Sequence, residues 1–179
     1  MSSLNKRVFL AINIPTELKE KIAKTFLSKL NIKGLKPVQK ENLHLTMKFL
    51  GNLPEDALED FADNLLALAK KKKFEIELQG IGDFKKRVIW IGVTKGSKEL
   101  AEIGSRINSL LELHGKKFSA HLTLARNKFL EHEKANALLN ELKKIGFKEK
   151  FLAESLDIME SQMTPSGPKY SVLKKIQFT

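Results

Sequence analysis

Two hydrophobic periods alternate along this chain. Apolar and polar residues take turns through Leu43-His44-Leu45-Thr46-Met47-Lys48-Phe49 and again through Ala120-His121-Leu122-Thr123-Leu124, the period-2 signature of half-buried strands. The apolar run from Arg7 to Asn13 reads as a further strand. Leu18, Ile22, Phe26, Leu27 and Leu30 recur at helical spacing behind Pro15, which predicts a helix from Pro15 to the stop at Gly34. Gly51-Asn52-Leu53-Pro54 predicts a turn into a helix from Glu55 to about Lys72. Phe74, Ile76 and Leu78 alternate as a strand, a hairpin across Gly80 to Lys86 follows, and Arg87 to Val93 returns. Ser97 is placed to cap a helix whose Leu100, Ile103, Ile107, Leu110 and Leu111 face inward, with Gly115 beyond its end. A helix near Glu133 to Ile145 stops at Gly146, and two strands are expected at Phe151 to Met163 and Lys169 to Phe178.

That order repeats: each half reads helix, histidine strand, helix, strand, strand. His44-Leu45-Thr46 returns 77 residues later as His121-Leu122-Thr123, and Phe74 and Phe151 keep the same interval. The pattern predicts an α+β protein of two pseudo-symmetric lobes of antiparallel sheet with outer helices and a cleft between them. Residues 1–179 are expected to form a single bilobal domain with repeat units at about 36–93 and 116–178. An approximate two-fold axis would bring His44 and His121 across from each other.

Paired imidazoles suit displacement at phosphorus. Histidine holds or releases a proton near neutral pH, so one ring takes a proton from the attacking oxygen while the other supplies one to the leaving oxygen. Thr46 and Thr123, each on the face of its histidine, are placed to donate hydrogen bonds to the non-bridging oxygens. Lys48 is expected on the His44 face, and strict alternation would turn Arg126 away from the His121 face. A metal centre is the competing chemistry, but it needs a third ligand, for which only Glu41, Asp83 or His114 offer themselves. The chain has no Gly-x-x-x-x-Gly-Lys or Gly-x-Gly-x-x-Gly loop and no cysteine, which argues against nucleotide-cofactor and thiol chemistry. No cofactor and no metal are expected.

Composition narrows the partner. The formal charge is +11, from 32 lysines and arginines against 21 acidic residues, which favours a polyanion, nucleic acid first. Lysine dominates, so part of this charge reads as a solvated Lys/Glu surface. Arg7, Arg87, Arg106 and Arg126 are the only arginines and carry the fork geometry that suits phosphate. The apolar run after Arg7 ends at Asn13 without a cleavage pattern, and no stretch approaches a membrane span. A cytoplasmic location, no membrane association and a monomer are the expectations.

His44-Leu45-Thr46-Met47 and His121-Leu122-Thr123-Leu124 resemble the paired His-x-Thr-x motifs of the 2H phosphoesterase superfamily. Arg7-Val8-Phe9-Leu10-Ala11-Ile12, Lys48-Phe49-Leu50-Gly51, Arg87-Val88-Ile89-Trp90, Leu124-Ala125-Arg126 and Ser166-Gly167-Pro168-Lys169-Tyr170 are similar to its RNA 2′,3′-cyclic phosphodiesterase (2′-5′ RNA ligase) branch. The resemblance runs from Arg7 to near the C-terminus and implies the bilobal fold. It also implies opening of RNA 2′,3′-cyclic phosphate ends to 2′-phosphomonoesters, with reversible 2′-5′ ligation as a further capacity. By it, His44 would be the general acid and His121 the general base, with Thr46 and Thr123 holding the phosphate. Arg126, Tyr170, Phe9 and Lys48 would contact substrate, Phe9 as a surface for a terminal base. The short Phe84-Lys85-Lys86-Arg87 segment departs from that pattern, which has a longer, proline-containing loop there. The alternative from another class is a non-catalytic module that grips RNA phosphate ends.

Overall fold

The computed structural model describes residues 5–112 and 118–179. Nine strands form one sheet: β1 (Asn5–Asn13), β2 (Leu35–Pro37), β3 (His44–Pro54), β4 (Phe74–Phe84), β5 (Val88–Val93), β6 (His121–Asn127), β7 (Lys148–Ala153), β8 (Ser155–Thr164) and β9 (Gly167–Gln177). Their order is β7-β4-β5-β6-β3-β1-β8-β9, with β2 paired to β6, and all pairings are antiparallel. Along that path four strands lie on each side of a central seam, which runs between the two histidine strands β6 and β3, with β2 as an additional strand on β6. The two expected lobes exist as the halves of this continuous curled sheet.

The helices occupy one face. α1 (Thr16–Ile22) continues through a π-helical turn (Ala23–Leu27) into α2 (Ser28–Leu30). α3 (Leu58–Leu65), α4 (Ser97–Leu110) and α5 (His132–Lys143) complete the layer. Leu18, Ile22 and Phe26, Ala62 and Leu65, Leu100, Ile103 and Ile107, and Leu139 and Leu142 all join one core with Val8, Leu10 and Ile12 of β1. Full burial of each large apolar side chain contributes about 1.5–3 kcal/mol. The opposite face of β1 carries Phe9 and Ala11, which form a separate small cluster with Met159 and Tyr170. Burial on both faces explains why β1 reads as an unbroken apolar run rather than an alternation.

Several elements differ from expectation. Gly51–Pro54 is not a turn: Gly51 (φ +84°) sits at a bulge and β3 runs on, pairing Asn52 with Arg7 and Pro54 with Asn5. The helix expected to Lys72 leaves α geometry at Leu66 and ends as a 3-10 segment, Leu66–Lys70. β4 extends to Phe84, so the hairpin turn shrinks to Lys85, Lys86 and Arg87, the two lysines with positive φ. Gly96, not Ser97, is the N-cap of α4. Its φ is +82°, and a Cβ there would stand 2.8 Å from the Glu75 carbonyl, so the chain needs glycine at this close approach. Leu110 is exposed. The single strand expected over Phe151–Met163 is two, β7 and β8, on opposite sides of the seam; the residues that join the helix-side core shift from odd (Phe151, Ala153) to even (Leu156, Ile158) across the break. Gly115 lies outside the described residues. Among the described residues no helix is long and apolar enough to cross a membrane.

Leu45 and Leu122 pair across the seam, and both are fully buried in the helix-side core. Leu122→Ala is expected to cost about 2–5 kcal/mol, the usual range for a buried leucine truncation. A urea melt with unchanged slope and a lowered midpoint would show it; a loss under about 1 kcal/mol would mean that the seam is not a packed element.

Candidate active site

One pairing sets the geometry. β3 and β6 run antiparallel with Leu45 opposite Leu122, so His44 falls opposite Thr123 and Thr46 opposite His121. With both leucines turned to the helix side, the two histidines and two threonines share the other face. The histidines are a diagonal cross-strand pair, which in a regular ladder separates Cα atoms by about 7–8 Å.

Each imidazole is oriented by the same device. His44 Nδ1 lies 2.6 Å from the Asn42 carbonyl oxygen, and His121 Nδ1 lies 2.8 Å from the Ser119 carbonyl oxygen. A carbonyl oxygen only accepts, so both Nδ1 atoms carry hydrogen and Nε2 is the atom left for chemistry. The Thr46 hydroxyl is 2.8 Å from His44 Nε2 and donates to it when the ring is neutral. Asn42 is itself buried and donates from Nδ2 to the Pro168 carbonyl at 2.6 Å, while Gln39 Nε2 reaches the Ser166 carbonyl. The segment before His44 is therefore tied to the β8–β9 hairpin.

The surroundings of the two rings differ. His44 packs against Phe9 (5.0 Å between ring centroids) and edge-on to Tyr170 (5.4 Å). His121 stands perpendicular to Phe84 at 4.9 Å, with Trp90 at 6.3 Å. Trp90 lies flat over Gly82, where any Cβ would come within 2.3 Å of its ring. Burial, above all, lowers the His44 pKa from 6.5 to about 4; the Asn42 carbonyl opposes this, and the positive charges of Lys19 and His121 add to it. His44 is accordingly neutral at pH 7 in the free protein.

His44, Thr46, Thr123, Arg126 and Tyr170 line one cavity of about 240 Å³, together with Phe49, Lys36 and Lys128. His121 shares the sheet face but is not part of that wall. A bulge brings Arg126 in. Trp90 pairs with Thr123 and Ile89 with Ala125, so Leu124 is an extra residue on β6 and Arg126 regains the face of His121. The other repeat has the same feature. Ala11 pairs with Thr46 and Leu10 with Lys48, making Met47 the extra residue, so Phe49 takes the site face and Lys48 leaves it. Lys48, expected beside His44, instead donates from Nζ to Asn108 Oδ1 of α4 at 2.7 Å.

Phe9 also differs from expectation. It is 1% exposed and packs on His44, Phe49 and Tyr170, so it supports the rings above it rather than offering an open surface. Phe49, which alternation assigns to the core, is 61% exposed. Its signal was available in the repeat: Phe49 follows His44 by five residues as Arg126 follows His121. Of the three residues considered as a third metal ligand, Asp83 is held by the backbone N–H and Nζ of Lys86 and Glu41 pairs with Lys40. His114 lies outside the described residues.

A family model described as LigT-like phosphoesterase matches the chain twice, over residues 12–90 and 91–170. The chain belongs to the LigT-like phosphoesterase family. It is 36% identical over 176 residues to an RNA 2′,3′-cyclic phosphodiesterase of Methanocaldococcus jannaschii, covering 94% of this chain and 99% of that one. It is 31% identical to one of Archaeoglobus fulgidus, covering 94% and 98%. Among solved structures, a Thermus thermophilus protein superposes with a TM-score of 0.75 at 28% identity, covering 96% of this chain and 97% of that one. The Escherichia coli LigT complexed with 3′-AMP gives a TM-score of 0.81 at 22% identity, covering 98% and 99%, a likeness of fold.

The low His44 pKa has a signed consequence. Between about pH 6.5 and about pH 4 the unfolded chain binds a proton at this position that the folded protein does not, so stability falls as pH drops through that window and is unaffected by His44 above it. In an NMR titration of the free protein His44 is expected to stay in the neutral Nδ1–H form until about pH 4; titration near 6.5 would contradict the burial assigned to it. The decline of the urea midpoint across the window is expected to flatten in His44→Gln.

Proposed function

We propose that this protein is an RNA 2′,3′-cyclic phosphodiesterase that opens cyclic phosphate ends to 2′-phosphomonoesters by two-histidine acid/base catalysis, without a metal. The observation that carries this reading is the matched pair of imidazoles on one sheet face, each fixed through Nδ1 to the carbonyl two residues before it. The curated relatives bear the same activity in their names.

In the proposed reaction water attacks phosphorus and the bond from phosphorus to the 3′ oxygen breaks. His121 Nε2 takes the water proton and His44 Nε2–H gives one to the 3′ oxygen. The roles follow the family resemblance. The free His44 ring is neutral at pH 7, so the acid form is loaded by substrate: a phosphate anion beside a buried imidazole favours its charged form and raises its pKa. Thr46 and Thr123 donate to the non-bridging oxygens, and Arg126 adds positive charge where the charge redistributes. A ribose 5′-hydroxyl in place of water would form a 2′-5′ linkage through the same geometry.

A cyclic-ended oligoribonucleotide incubated with excess EDTA is expected to be converted to the 2′-phosphate at an undiminished rate. His44→Ala and His121→Ala should each lower kcat at least about 100-fold, the lower bound for losing a general acid or base, with folding retained. Salt-sensitive binding without product would instead favour a non-catalytic phosphate-end module, and loss of activity on chelation would favour a metal hydrolase.

A further inference from the structure

The cavity at His44 adjoins another. A second cavity of about 470 Å³ shares Phe49, Arg126, Lys128, Pro168 and Tyr170 with it and continues outward past Arg7, Ser161 and Met163. None of the catalytic histidines or threonines lines this outer part. Its volume lies within the range of sites that enclose a small ligand, so it is more than the rim of the first.

The walls suit a nucleotide. Phe49 is placed on this face by the bulge at Met47, and its ring rests on buried Phe9 at 5.8 Å, which holds it as a platform while 61% of it stays exposed. Met163, 68% exposed, supplies a second apolar surface that adapts its shape. Arg7 lies on the Phe9 face of β1 by alternation, and Arg7 and Arg126 line the outer cavity together with Tyr170. No acidic side chain lines either cavity. Among the described residues Arg7, Arg126 and Lys128 form no ion pair, whereas Lys6, Lys71, Lys95, Lys150 and Lys174 are matched to glutamates. An exposed aromatic face beside unpaired cations is how single-stranded nucleic acid is gripped without regard to sequence. A third basic cavity, at Lys85–Arg87, meets the other two only at Lys128.

We propose that the outer cavity binds the nucleotide preceding the cyclic end, its base on Phe49 and Met163 and its phosphate at Arg7 and Lys128, so that cyclic-ended oligoribonucleotides are preferred to cyclic mononucleotides. This rests on the cyclic phosphodiesterase reading and adds a substrate-length preference to it. Arg7 and Met163 line only the outer cavity, which makes them the residues to change.

The test compares adenosine 2′,3′-cyclic phosphate with a cyclic-ended pentaribonucleotide on the wild type and on R7A/M163A, folding being checked by circular dichroism. Binding of the two corresponding 2′-phosphate products is measured alongside. The wild type is expected to show kcat/KM at least about tenfold higher on the pentanucleotide, within the range of one base–aromatic stack. R7A/M163A should lose that advantage and leave mononucleotide turnover unchanged. Equal kcat/KM on both substrates, or equal losses on both in the variant, overturns the proposal. If neither substrate turns over, the phosphodiesterase reading fails; tighter product binding by the pentanucleotide, lost in R7A/M163A, still supports the groove, and length-independent binding overturns it.

Discussion

The Leu45–Leu122 pair is the constraint on which the site depends. Among the described residues it is the one ladder pair between the two histidine strands, and it sits where the two halves of the sheet meet. Both side chains are anchored in the helix-side core, so their neighbours have no choice of face. A slip of one residue on either strand would send one His-x-Thr pair into the core, because side chains alternate with a period of two. Burial of two leucines on one side thus fixes four polar groups on the other.

Symmetry places the rings and asymmetry differentiates them. Both histidines use a carbonyl two residues upstream to fix the tautomer, a solution that the repeated strand supplies twice. Their second neighbours are not repeated. His44 is enclosed by Phe9 and Tyr170, His121 stands against Phe84, and the bulge-restored position is an aromatic ring in one repeat and a guanidinium in the other. These unlike surroundings make His44 a ring whose charged form burial disfavours in the free protein. The positive charge divides in a similar way: much of the lysine surface is spent on glutamates, while Arg7, Arg126 and Lys128 face the cavities.

The sequence shows most of the strands and helices and the repeated histidine motif, because periodicity and a repeated tripeptide are local properties; β2 and the division of β7 from β8 are not visible in it. What escaped it was local too, but encoded in register. Lys48 and Phe49 exchange faces, and Arg126 returns to the site, because Met47 and Leu124 are each an extra residue against a shorter partner strand; nothing within β3 or β6 alone marks them. Gly51 looked like a turn because its positive φ is common to turns and bulges. The break at Glu154 leaves a trace in the changed parity of the residues that reach the helix-side core, Phe151 and Ala153 before it and Leu156 and Ile158 after it. Phe9 reads as a surface or a core residue equally well until the strands on both sides are known.

A crystal structure with a nucleoside 2′-phosphate bound would test the central claim most directly. The account predicts one phosphate with His44 Nε2 and His121 Nε2 both within hydrogen-bond reach of its ester and non-bridging oxygens, and with Thr46 and Thr123 between them. A phosphate contacted by a single imidazole, with the other ring too far to touch the same phosphorus centre, would contradict it.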